Sequence, residues 1–406
     1  MNSMAKVERI AAVARAFTPG APVGRLEMLA GRMNQLTDVV SAVSMTGQHV
    51  GLYGERGVGK TSIANVLAEF FDAAELRSHF QAVRVNCSTD DTFATLWQNV
   101  FAELRREAPN ELSPEIVRRE LEDLEPAALI VIDELDRLED DVALTALADT
   151  VKTLSDHTVE STLVLVGVAR SIGELVGEHA SIVRALVQIE MPRMSIPELG
   201  EILSEGCKRA GLTAHPDAVD EITMLSEGLP HYTHLLGLHA GQRAVQNDRT
   251  DVRLRDVQGA IPKAVDRHTI LNDYQQATRS ARKDALFSEV LLACALAPKN
   301  QLGFFTSGSI RGPLEVITGR RIDIPAFSNH LSQFLEPERG SVLQREGTSR
   351  RYFYRFADPI FQPYVVLKGL ASGLITDEQR RQFQTWEGAN ELTPSEFEPN
   401  VPPQLF

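Results

Sequence analysis

Five short apolar runs recur between residues 49 and 191: HVGLY (49–53), AVRVNC (82–87), ALIVID (128–133), TLVLVGV (162–168) and LVQIEM (186–191). Each is apolar almost without interruption, the pattern of a strand covered on both faces. Between the runs the hydrophobic period changes. Ile63, Val66, Leu67, Phe70 and Phe71 fall at i, i+3, i+4, i+7 and i+8, which is one stripe of an amphipathic helix. Strands alternating with helices predict a parallel sheet with right-handed crossovers, so residues 25–191 read as a three-layer α/β core.

The pattern changes twice more. From 192 to 275 strand-like runs give way to helical ones, at PELGEILSEGCKRAG, at DAVDEITMLSEG and after Gly228-Leu229-Pro230, predicting a helical subdomain. Residues 281–370 open with an apolar helix, ALFSEVLLACALA, and continue with helices near Ile310–Thr318 and Pro325–Leu335. A hairpin follows, SVLQRE (341–346) and RRYFYRF (350–356) about a GTS turn, and three helices then a hairpin is the outline of a winged helix. Residues 1–24 read as an N-terminal helix with a Pro/Gly-rich linker, and 371–406 as a tail poor in large apolar residues.

Composition narrows the setting. No stretch approaches the roughly 20 apolar residues of a membrane span, and Glu8 interrupts a basic N-terminus that no cleavage pattern follows. Cys87, Cys207 and Cys294 are far apart and odd in number, indicating neither a disulfide framework nor a zinc site. The expectation is a cytoplasmic protein without a membrane partner. A net charge of −14 argues against coating nucleic acid with the whole surface. The charge is uneven, however: residues 281–370 hold 12 Lys and Arg against 8 Asp and Glu, the rest of the chain 29 against 47. Nucleic-acid contact is therefore to be sought in the late block.

The chemistry concentrates after the first run. Residues 54–62, GERGVGKTS, satisfy G-x-x-x-x-G-K-[ST] with Gly54, Gly59, Lys60 and Thr61, between a predicted strand and a predicted helix. Glycines let a loop turn through positive φ and close its N–H groups around phosphate oxygens. The loop residues Gly54, Glu55, Arg56, Gly57, Val58, Gly59 and Ser62 thus form a candidate cradle, with Lys60 facing the β- and γ-phosphates. The Thr61 hydroxyl is a candidate Mg²⁺ ligand, and the run ALIVID ends at Asp133 and Glu134, where open α/β sheets bind ligands. ATP and Mg²⁺ are the expected cofactors. Several histidines lie near position 231, but no carboxylate completes a metal site with them.

Across residues 25–370 the chain resembles the AAA+ ATPases of the initiator-type branch (origin-recognition and Cdc-like proteins), with features shared by STAND switch ATPases. The resemblance implies that Asp133 orients the metal and Glu134 activates the attacking water. It implies that Arg32, in Ala30-Gly31-Arg32, lies against the adenine, and that Arg184, in HASIVRALVQIEMPRM, is an arginine finger reaching a neighbouring subunit. Arg170, in GVARS, stands where initiator-type proteins usually carry an Asn-like sensor and STAND proteins often an Arg. GLPHY (228–232) replaces the usual lid arginine, with Pro230 and His231 near the nucleotide, and that replacement puts rapid hydrolysis in doubt. The activity implied is ATP hydrolysis by a homo-oligomer. Two kinds of target stay open. One is duplex DNA, met by Arg345, Arg350, Arg351 and Arg355 of the wing beside a helix with Asn329, His330 and Gln333, in replication-type initiation, transposition or mobile-element defence. The other is a protein effector recruited by a STAND-like switch without DNA.

Overall fold

The computed structural model describes residues 3–73, 80–169, 171–176, 182, 184–266, 270–280, 285–300, 303–348 and 351–383. Arg170 and Arg350 therefore lie outside the described residues. The chain forms two compact units: a P-loop unit, Thr18–Glu205, and a second unit joining Met1–Phe17 to Gly206–Phe406. The helix Ile196–Arg209 carries the chain from one to the other. These units differ from the domain limits expected above, because the first helix folds with the C-terminal half.

The P-loop unit is built on one parallel sheet: β1 (His49–Gly54), β2 (Phe80–Asn86), β3 (Ala127–Asp133), β4 (Thr162–Val168) and β5 (Leu186–Glu190), in the order β2-β3-β4-β1-β5. The five strands are the five apolar runs. β3 is buried at every position, as a strand covered on both faces must be. The helix Lys60–Ala73 turns Ile63, Val66, Leu67 and Phe71 of the predicted stripe inward, while Phe70 is half-buried. Because β4 lies between β1 and β3, the ends of β1 and β3 open on the same carboxyl edge of the sheet, one strand apart.

His49 starts β1 fully buried, its Nδ1 accepting from the Leu163 N–H at 3.0 Å. Burial pushes its pKa down to about 4, a backbone bond to Val151 opposing the shift. The folded state therefore takes up the proton less readily than the unfolded chain, whose histidine titrates near 6.5. Stability is expected to be complete above about pH 6.5 and to fall progressively towards pH 4, by about 3 kcal/mol at most from this group. Urea unfolding of the wild type and His49→Gln across that window checks it, since the variant should lose that part of the slope.

In the second unit the first helix, Ser3–Ala16, and the following Phe17 pack against the helix Pro230–Gln246. The Phe17 ring fills a slot made by Gly206 and Gly237, where a Cβ would stand 2.3 and 2.6 Å from it. Two short strands, β6 (Thr213–Ala214) and β7 (Asp251–Val252), pair in parallel among the helices. The late block runs helix Phe287–Leu296, β8 (Phe305–Thr306), helices Arg311–Thr318 and Ile324–Gln333, then β9 (Leu343–Thr348) and β10 (Arg351–Phe356). Its antiparallel sheet has the order β8-β10-β9. The helical part and the late block are joined within this unit by the Tyr232 hydroxyl on the Ile360 carbonyl and the Tyr364 hydroxyl on the Val265 carbonyl.

Residues 371–406 are not wholly a tail. After the helix Phe361–Ala371, Thr376 caps a further turn, Asp377–Arg381, whose two arginines bind Glu221 on the helix Pro216–Ser226. The rest, 384–406, lies outside the described residues. No described helix is long and apolar enough to cross a membrane.

Candidate functional site

β1 ends at Gly54, whose φ is +151 and whose hydrogen points at the Met191 carbonyl; a Cβ there would lie 2.3 Å from that oxygen. Gly57 and Gly59 have φ of +86 and +101, so the loop takes turns that side chains resist, and the helix begins at Lys60. A Cβ on Gly59 would meet nothing, so this glycine is required by conformation rather than by space. The Lys60 side chain is only 7% exposed, and its Nζ donates to the carbonyls of Gly54 (2.9 Å) and Glu55 (2.7 Å). Burial draws its pKa down to about 8, against the stabilising charges of Asp136, Asp133 and Glu55. Glu55 is itself tied to Arg193 at 2.6 Å, Arg56 is exposed, and the Ser62 hydroxyl accepts from the Val23 N–H.

Opposite the loop, Asp133 is 2% exposed at the tip of β3. Its Oδ1 accepts from the Glu134 N–H (2.8 Å) and its Oδ2 from Arg84 Nη2 (2.8 Å). Glu134 adopts φ +57 at the start of a short turn, and its half-exposed carboxylate accepts from Arg137 at 3.0 Å. Asp136, one turn further on, accepts from the Val168 N–H (2.7 Å) and so joins the turn after β3 to the end of β4.

The remaining residues named from the sequence are dispersed. Arg32 is 1% exposed, and donates to the Val58 carbonyl of the loop at 3.1 Å and to Pro192. Its Nη1 lies 3.8 Å from Glu198, and Gly31 beside it, at φ +72, has no room for a Cβ against Glu198. The pair thus braces the loop on the helix Ile196–Arg209. Arg184 is exposed in the turn before β5. Pro230 and His231 begin the helix Pro230–Gln246 in the second unit, where His231 packs edge-on against Tyr232.

The hairpin of β9 and β10 presents Arg345 and Arg351 as exposed side chains and Arg355 as partly exposed. Arg351 lies over Phe353 and Arg355 over Phe304, while Tyr354 stacks on Phe305, so side chains alternate between the faces of β10. Arg345 lies over Tyr352. On the neighbouring helix the half-buried His330 packs on Phe287, the half-buried Gln333 accepts from Arg339, and Asn329 is exposed.

Sequence reasoning missed Arg84, Asn65 and Asp136. A third acid in Asp133-Glu134-Leu135-Asp136 was the available signal for Asp136; nothing in the sequence pairs Arg84 with Asp133.

Residues fit for Mg²⁺ are present: a buried carboxylate and a hydroxyl are the hard oxygen donors it prefers. Among the described residues no group of three or more His, Cys, Asp or Glu forms a metal site.

Residues 43–175 match the family model described as AAA domain. No curated protein matches the chain. Among solved structures, a Walker-type ATPase of Pyrococcus abyssi is 17% identical over 86% of this chain and 99% of that one, with a TM-score of 0.50. The Orc1 protein of Aeropyrum pernix in complex with DNA is 17% identical over 86% and 95%, at a TM-score of 0.48. Cdc6p of Pyrobaculum aerophilum is 15% identical over 89% and 99%, at 0.45. With its order of strands, its glycine loop and the match at 43–175, the P-loop unit is an AAA+ P-loop ATPase domain.

Proposed function

We propose that the chain binds and hydrolyses ATP with Mg²⁺, assembles with further copies of itself according to the nucleotide bound, and acts on DNA or on a DNA-processing partner as initiator-type AAA+ ATPases do. The observation that carries this reading is the pairing of a positive-φ glycine loop and buried Lys60 with the buried Asp133, all on one sheet edge. Loop amides and Lys60 would hold the phosphates, and Thr61 and Asp133 would hold Mg²⁺, which when bound would supply positive charge to offset that of the transferring group. Glu134 takes the proton of the attacking water. Its half-exposed carboxylate can reach solvent, and it must leave Arg137 to act.

Arg184, exposed beside the sheet edge strand, suits a finger offered to another subunit. Arg170 and Arg32 are further proposed contacts of the P-loop unit with the nucleotide. We read the late block as a winged helix, with Arg345, Arg351 and Arg355 as its phosphate contacts and Arg350 beside them.

A second reading, a STAND-like switch that recruits a protein effector without DNA, draws support from the inward-facing His330 and Gln333, which leave that helix few groups for base edges. Duplex binding that weakens with salt and is lost in Arg345→Glu/Arg351→Glu favours the first reading. ATP-dependent assembly indifferent to DNA favours the second.

Phosphate release and solution size with ATP, ADP or neither test the core of the proposal. Glu134→Gln is expected to bind ATP as the wild type does, to turn over about 100-fold more slowly or worse, and to accumulate the assembled form. Turnover within threefold of wild type removes Glu134 from its role. Equal sizes for both proteins in every condition remove the assembly.

A further inference from the structure

The carboxylate at the metal side of the site already holds a cation of the chain itself. Arg84 rises from the middle of β2, and its Nη2 sits 2.8 Å from Asp133 Oδ2 while its Nη1 donates to Asn65 Oδ1 on the helix that follows the P-loop. Asp133 Oδ1 is held by the Glu134 N–H, so Oδ2 is the oxygen that any further cation would have to share with the arginine. Asn65 in turn donates to the Val23 carbonyl, which fixes its amide so that the oxygen faces Arg84. One donor of the guanidinium, Nε, is buried without a hydrogen bond, so the pairing leaves the arginine incompletely satisfied. The side chain is 26% exposed, whereas the carboxylate is almost wholly enclosed, so the arginine has space towards solvent that Asp133 lacks.

We infer that Arg84 is a positioning residue that neutralises Asp133 before nucleotide arrives and competes with Mg²⁺ for its Oδ2, setting the metal concentration at which the nucleotide complex forms. The inference rests on the proposed role of Asp133. Its physics is electrostatic: at an enclosed carboxylate a neighbouring positive charge lowers the attraction for a second cation, and bulk salt screens the effect weakly. Without metal the same arginine offsets the repulsion between Asp133 and a phosphate. Loss of its charge should therefore separate two quantities that a purely structural role would move together.

The experiment measures ADP binding by calorimetry over a Mg²⁺ titration and in EDTA, alongside the melting temperature of the free protein. Arg84→Gln and Arg84→Met remove the charge by different side chains; Arg84→Lys keeps it. For both neutral variants the half-saturating Mg²⁺ is expected to fall roughly fivefold to tenfold, and ADP binding in EDTA to weaken by a similar factor. Arg84→Lys should stay within about twofold of wild type in both. A half-saturating Mg²⁺ that is unchanged or higher in a folded neutral variant overturns the inference, as does a lysine variant that behaves like glutamine. Wild-type protein that takes up no ADP at any Mg²⁺ concentration overturns the reading of the site itself, and the inference with it.

Discussion

Lys60→Ala is expected to weaken binding of ATP–Mg²⁺ by about 100-fold or more, while the melting temperature of the free protein shifts by only a few degrees. The asymmetry follows from where the ammonium sits. It is buried among the carbonyls of Gly54 and Glu55, and burial costs it enough to bring its pKa down to about 8. Removing it costs the folded state two hydrogen bonds but also relieves a desolvated charge, so the net change in stability is small. Binding has no such compensation. Asp133 and Asp136 would face the phosphates with their nearest counter-charge on the loop gone. Lys60→Arg should not restore affinity, because a planar fork cannot take the place of a compact ammonium between two carbonyls. Calorimetry near pH 7 decides it, with circular dichroism to show that the variant is folded. Affinity within tenfold of wild type would mean that the glycine loop is a structural turn and not a phosphate cradle.

Much of this site was legible because its determinants are local. The loop needs three glycines, a lysine and a hydroxyl within nine consecutive residues, and the strands before it and across from it are apolar without interruption. What escaped was decided by partners far along the chain. Arg84 meets Asp133 from 49 positions away, and β2 shows only an arginine between two valines. Phe17 reads as the end of the N-terminal helix, before a Pro/Gly-rich linker. Its ring instead needs the slot that Gly206 and Gly237 leave open in the other unit, and no periodicity announces a glycine pair of that kind. The two-residue strands β6, β7 and β8 are too short to carry any pattern. His330 and Gln333 are half-buried beside Phe327 and Leu331, an orientation that polar type alone does not reveal.

Glu221→Ala is expected to cost the second unit about 3–5 kcal/mol, the largest effect on stability foreseen for a single side chain here. Glu221 is 2% exposed on the helix Pro216–Ser226, and each of its oxygens takes one arginine: Oε1 from Arg380 and Oε2 from Arg381, both at 2.7 Å. The two arginines differ in what they lose. Arg380 is 3% exposed, so removal of Glu221 leaves its buried guanidinium only the more distant Asp377, at 3.8 Å; Arg381 is half exposed and would be rehydrated. Arg380→Ala should therefore approach the cost of Glu221→Ala, because it leaves a buried carboxylate held only from its exposed side, whereas Arg381→Ala should cost about 1 kcal/mol. Glu221→Leu combined with Arg380→Leu should recover most of the loss, since an apolar pair of similar volume requires no desolvation of charge. Urea unfolding of the four variants provides the comparison. A cost below about 0.5 kcal/mol for Glu221→Ala would return residues 372–383 to the status of a dispensable tail. The expected cost makes the turn Asp377–Arg381 a clasp that the folded unit requires, although its five residues, Asp-Glu-Gln-Arg-Arg, contain nothing apolar to announce it.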